Sequence, residues 1–140
     1  MVKEISNKVI KLFQFSTSKI EFWENGLVYI EIKPNTEIDL DISTTHHQTL
    51  RDNFDGTNLY YILVDPGKFT TVTKDARDFS ARPESNDMSS SVAVISHSLA
   101  QRIMINFHSK FISRQKMKMK AFQTKDDAVN WLLDRKNKKL

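Results

Sequence analysis

Four histidines and a scatter of serines, threonines and aspartates are the side chains with which this 140-residue chain could do acid–base, nucleophilic or metal chemistry. His46 and His47 are adjacent, so on a helix they point about 100° apart and cannot both hold one ion in the usual i, i+4 manner. His97 and His108 stand in a stretch with no carboxylate between Asp87 and Asp126, which leaves few hard ligands nearby. Nucleophilic catalysis needs a hydroxyl, a base and an orienting acid in contact. The spacing G-x-S-x-G of a nucleophile elbow is absent, and Asp65-Pro66-Gly67-Lys68 lacks the long glycine-rich spacing of a phosphate loop. Three glycines leave little room for a backbone to approach a nucleotide closely. With no cysteine, disulfides, thiolate metal sites and thiol catalysis are excluded. No metal site, cofactor or catalytic residue is expected, and the chain reads as a non-enzyme.

Charge is the stronger signal. The net value is +4, but residues 1–87 carry 10 basic and 14 acidic groups, whereas residues 88–140 carry 11 and 3. Lys110, Arg114, Lys116, Lys118 and Lys120 form a basic patch whose local field is positive whatever the fold. Nucleic-acid modules usually interleave aromatics with such cations as stacking platforms. Between Arg114 and Lys120 the interleaved residues are Gln115, Met117 and Met119, which argues against nucleic acid.

The elements that must position these groups follow from periodicity. At 39% apolar and 27% charged, the composition is that of one globular domain. The longest apolar run, Leu59 to Val64, is far shorter than the roughly 20 residues of a membrane span. The first residues show no signal-peptide pattern, and a cytoplasmic location is the expectation. Residues 19 to 33 read as a hairpin, with Asn25-Gly26 supplying a type I′ turn. Val9 to Phe15 is a further strand or an N-terminal arm, within an arm segment of residues 1–17. Asp39 caps a helix to about Phe54 with His47 on its inner side, and Gly56 stops it. Leu59 to Val64 reads as a central strand buried on both faces. Thr73 caps a short helix to Ala81, and Ser91 to Ile95 is the next buried strand. Ser98 caps a third helix with Leu99, Ile103, Met104 and Phe107 at helical spacing. Met117 to Phe122 alternates as an edge strand. Thr124-x-x-Asp127 opens a last helix that turns Ala128, Trp131 and Leu132 inward, and a basic tail occupies residues 136–140. Alternation of this kind predicts an α/β domain with right-handed crossovers.

This order of elements resembles the STAS domain, the SpoIIAA-like fold of anti-sigma factor antagonists, and the small bacterial proteins described as STAS/SEC14-like. The local matches are Leu63-Val64-Asp65, Val72-Thr73-Lys74-Asp75-Ala76-Arg77, Val92-Ala93-Val94-Ile95 and Thr124 to Leu132. The resemblance covers about residues 18–135. It implies a single domain with a mixed, mostly parallel sheet of about five strands, an N-terminal hairpin and four helices. STAS regulators carry an Asp-Ser-Ser-Gly type motif with a phosphorylated serine after the central strand. Here Thr73-Lys74-Asp75-Ala76 stands in its place, so the resemblance leaves two options: modification of Thr71 or Thr73, or a permanent charge from Asp75.

In an open α/β sheet, binding loops gather at the carboxyl ends of the parallel strands. That geometry gathers Asp65, Thr71, Thr73, Asp75 and Arg77 on one rim, with Ser96, Ser98 and Arg102 as a second cluster. The function implied is regulatory docking of an unidentified bacterial protein partner, with a homodimer also open. One alternative is a carrier holding a lipid or other apolar ligand among Ile103, Met104, Phe107 and Phe111. Another is nucleic acid or anionic membrane bound through the basic C-terminal half.

Overall fold

The computed structural model describes residues 8–112 and 116–138. Strands β1 (Val9–Gln14), β2 (Ser18–Trp23) and β3 (Leu27–Ile32) form an antiparallel meander. Next come β4 (Glu37–Ile38), α1 (Leu40–Asp52), β5 (Tyr60–Asp65), β6 (Thr71–Val72) and α2 (Lys74–Ser80). A 3₁₀ turn at Pro83–Ser85 leads to β7 (Ser89–Ile95), α3 (Leu99–Ile112), β8 (Lys118–Phe122) and α4 (Lys125–Asn137). The main sheet has order β1-β2-β3-β5-β7-β8, and β3, β5, β7 and β8 are parallel. It has six strands rather than about five, because Val9–Gln14 pairs with β2. The short β4 and β6 pair separately.

β5 is a central strand, as its apolar run requires. Ile62 joins a core cluster on one face with Ile20, Val28, Ile30, Leu50, Val92 and Val94, while Tyr61 and Leu63 join the other face with Trp23, Leu27, Ala93 and Leu132. Leu50 of α1 and Ile105 of α3 cover the first face, and α2 packs on α1. On the opposite face Ala128, Val129 and Leu132 of α4 are buried. The caps follow the sequence: Asp39 accepts from the Ile42 N–H (2.9 Å), Thr73 from Ala76 (3.3 Å) and Thr124 from Asp127 (3.1 Å).

Two local expectations are corrected. A type I′ turn needs two residues with positive φ, but only Gly26 has one here (+93°), and the Gly26 N–H bonds the Trp23 carbonyl at 3.0 Å. The hairpin therefore closes with a three-residue loop, Glu24-Asn25-Gly26, whose glycine takes the left-handed position. The second correction concerns α3. The helical spacing of Leu99, Ile103, Met104 and Phe107 marks the apolar stripe of α3, yet these residues are 50–63% exposed. The helix instead turns Gln101, Ile105 and His108 toward the protein.

Candidate docking rim

Asp65 ends β5 and His97 lies just beyond the end of β7, so neighbouring parallel strands bring them together at the carboxyl rim of the sheet. His97 Nε2 lies 2.6 Å from Asp65 Oδ1. An ionised carboxylate only accepts hydrogen bonds, so Nε2 is the donor in this contact. This is the base-and-orienter half of a hydrolytic triad. Among the described residues, however, no hydroxyl hydrogen-bonds His97. Ser98 Oγ accepts the Gln101 N–H (3.1 Å) and Ser96 Oγ donates to the Phe122 carbonyl (3.4 Å). The Asp65–His97 contact ties the end of β5 to the loop after β7 as a clamp.

Other bonds tighten the same clamp. Gln101 Nε2 donates to the Gly67 carbonyl (2.9 Å), and its Oε1 accepts the His97 N–H (2.8 Å). From the other side the Asn35 N–H reaches the Lys68 carbonyl (2.9 Å), and Thr70 Oγ1 donates to the Lys33 carbonyl (3.2 Å). These bonds hold Phe69 at φ +64°, with 70% of its surface exposed and the Lys68 ammonium 5.6 Å from its ring centre. A left-handed conformation costs a non-glycine residue about 1–2 kcal/mol, and the surrounding bonds sustain it.

Gly67 is the hinge of this arrangement. Its φ is +79°, and a Cβ there would lie 2.5 Å from the Ile32 carbonyl oxygen and 2.9 Å from the Lys33 backbone. Gly67→Ala is expected to destabilise the protein by about 2 kcal/mol, as the loop shifts away from β3. Urea unfolding measures that loss, and an unchanged midpoint would show that the loop is not packed as described.

The remaining sequence-predicted residues fall into three groups. Ser96, Ser98 and Arg102 of the second cluster line a cavity of about 380 Å³ at the clamp, together with His97, Leu99 and Gln123, which the sequence did not single out for this site. Thr71 is exposed in β6, Thr73 Oγ1 is engaged as the α2 cap, and Asp75 stands exposed in the first turn. Arg77 spends a guanidinium N–H on the Val72 carbonyl (2.8 Å). The basic patch is divided. Met119 packs on the α1 and α3 side of the sheet, so Lys118 and Lys120 project from the other face, where Lys120 sits over the Phe122 ring. Lys110 is on α3 and Lys116 is exposed ahead of β8, while Arg114 lies outside the described residues. Among the described residues, Lys118 and Lys120 therefore stand on a different face from Lys110 of α3. Ile103, Met104 and Phe107 do not enclose a space for an apolar ligand, since they face solvent; the side chain of Phe111 lies outside the described residues.

Phe69, Gln101 and the Asp65–His97 pair are absent from the sequence reading. A lone aromatic beside Lys68 in a glycine-containing loop was the one available cue. Among the described residues no group of three or more metal-ligating side chains converges, and no helix is long and apolar enough to cross a membrane.

A family model described as a domain of unknown function (DUF7793) matches residues 21–136. The chain belongs to that family. No curated protein matches it. Among solved structures, this DUF7793 domain is similar to an uncharacterized protein of the DUF3478 family with a SpoIIAA-like fold from Shewanella loihica PV-4. The TM-score is 0.60 at 15% identity, over 94% of this chain and 98% of that one. The fold of the DUF7793 domain is SpoIIAA-like, as its order of elements implied.

Proposed function

We propose that this DUF7793 domain is a non-enzymatic docking module that holds a partner protein at the rim, with Phe69 as the anchor. The observation that carries this reading is an exposed aromatic residue whose left-handed backbone is fixed by hydrogen bonds from two sides, α3 and the segment after β3. A large aromatic presented on a backbone that is already fixed spends no backbone freedom on binding, and aromatic residues are what interface hot spots favour. Thr71 and Asp75 stand on the same loop–helix segment and would form the polar surround.

The test compares affinity capture from the native cell on wild-type, Phe69→Ser and Lys120→Ala baits of equal thermal midpoint. A stoichiometric partner is expected on the wild type and on Lys120→Ala, with at least about tenfold less on Phe69→Ser. Equal recovery on all three baits, or no stoichiometric partner on the wild type, would refute the reading.

A further inference from the structure

We propose that the cavity between the carboxyl ends of β7 and β8 and the start of α3 binds a small phosphomonoester, with Arg102 as its anchor. The inference rests on neither Phe69 nor the partner reading. The cavity measures about 380 Å³, within the roughly 300–1,000 Å³ of small-molecule sites. Ser96, His97, Ser98, Arg102 and Gln123 give it a polar wall, Leu99 is its one apolar side chain, and no carboxylate lines it.

Arg102 decides the sign of the ligand. Its side chain is half-buried, and among the described residues its guanidinium has neither a hydrogen-bond nor an ion-pair partner. The other described arginines are all engaged: Arg51 with Asp87, Arg77 with the Val72 carbonyl, Arg82 over the Phe79 ring and Arg135 with Ser91. A partly desolvated cation without a partner is costly, and its fork of N–H groups matches the paired oxygens of an oxyanion. The carboxylates on the same rim do not serve it. Asp65 is held by His97 at 2.6 Å, and Asp126 and Asp127 stand exposed in the first turn of α4.

Ser96 points the same way. It is only 8% exposed, yet its hydroxyl reaches the Phe122 carbonyl at 3.4 Å, outside the roughly 2.5–3.0 Å of an ordinary O–H···O bond. A buried hydroxyl so poorly matched is a donor suited to a better acceptor. Ser98 also has a hydroxyl proton to give, because its oxygen accepts the Gln101 N–H. With the two N–H groups of the Arg102 fork and the Gln123 amide, these make about five donors, more than the roughly four acceptor sites of a carboxylate. The three terminal oxygens of a phosphomonoester take them all. The amino end of α3 favours the same sign of charge. A bare phosphate fills only part of the space, and the remainder suits a small organic group seated against Leu99.

An amide NMR titration at constant ionic strength tests the site, with glycerol 3-phosphate, inorganic phosphate and acetate as probes. Glycerol 3-phosphate is expected to shift the amides of Ser96, Ser98 and Gln123 saturably, with a Kd of about 1 mM or below and tighter than inorganic phosphate. Acetate should not saturate these shifts. Arg102→Gln is expected to weaken the ester at least about tenfold while the spectrum keeps its dispersion. Arg102→Lys keeps the charge without the fork and should fall between the two. Lys120→Ala removes a cation from the α4 side of the sheet and should bind as the wild type does. Ester shifts that do not saturate, an unchanged affinity in Arg102→Gln, or acetate bound as tightly as the ester would overturn the proposal. So would a phosphothreonine peptide, otherwise of alanines, that binds at least about tenfold tighter than the ester, which would assign the cavity to a modified partner protein.

Discussion

Replacing Leu132 by alanine is expected to destabilise the protein by about 3 kcal/mol, read as a lower urea midpoint at unchanged slope. Leu132 has no exposed surface and packs in the cluster built by Trp23, Leu27, Tyr29, Tyr61, Leu63 and Ile95. Removing its branched end takes apolar area out of the core and leaves a cavity beneath α4. The sheet strands around it are fixed by their ladders on both sides and cannot close the space, so the loss falls in the middle of the range for buried leucines. Leu12→Ala is the control. That leucine is about half exposed on the edge strand β1, and its truncation should cost no more than about 0.5 kcal/mol. Equal effects at the two positions would mean that α4 does not seal this face.

Leu132 was legible in the sequence, and the reason shows what single-chain reading can reach. Ala128, Trp131 and Leu132 recur at helical spacing against a charged remainder, and Thr124 marks the start, so pattern and cap agree. β5 was legible for a similar reason: an apolar run of strand length closed by Asp65-Pro66-Gly67 suits a strand covered on both sides, although the strand starts one residue late, at Tyr60, and leaves Leu59 exposed. The outer face of α3 misled because the helix has two stripes and the wrong one is the more apolar. Gln101 and His108 turn inward to bond the Gly67 carbonyl and to approach Ser80, and these partners come from distant segments. Periodicity groups residues on a stripe without saying which stripe meets the sheet. The rim clamp was hidden for a related reason. Asp65 and His97 are 32 positions apart, and only the adjacency of β5 and β7 brings them into contact.

Acid is expected to weaken this protein before its carboxylates titrate, through His46, the neighbour of the histidine that the sequence places on the inner side of α1. His47 sets its ring perpendicular to Phe79, with centroids 5.5 Å apart. His46 sits deeper in effect: it bonds Ser18 Oγ at 2.8 Å, packs 5.7 Å from the Phe15 ring, and burial pushes its pKa down to about 4. An unfolded chain protonates this imidazole near its ordinary value of 6.5, whereas the native protein resists until about pH 4. As pH falls through that window the unfolded state binds more protons, so stability is full above about 6.5 and declines down to about 4. Below that the contribution is lost and the dependence on this group flattens. A shift from 6.5 to about 4 corresponds to about 3 kcal/mol, at 1.36 kcal/mol per pH unit. Burial also lowers the pKa of His108, which adds to the slope with the same sign. His46→Gln keeps a polar partner for Ser18 and removes the titration. Urea unfolding at intervals from pH 7 to 4 should then show the wild type losing about 3 kcal/mol more than the variant. Parallel curves would mean that His46 is protonated in the folded protein and that its contact with Ser18 and Phe15 opens in water.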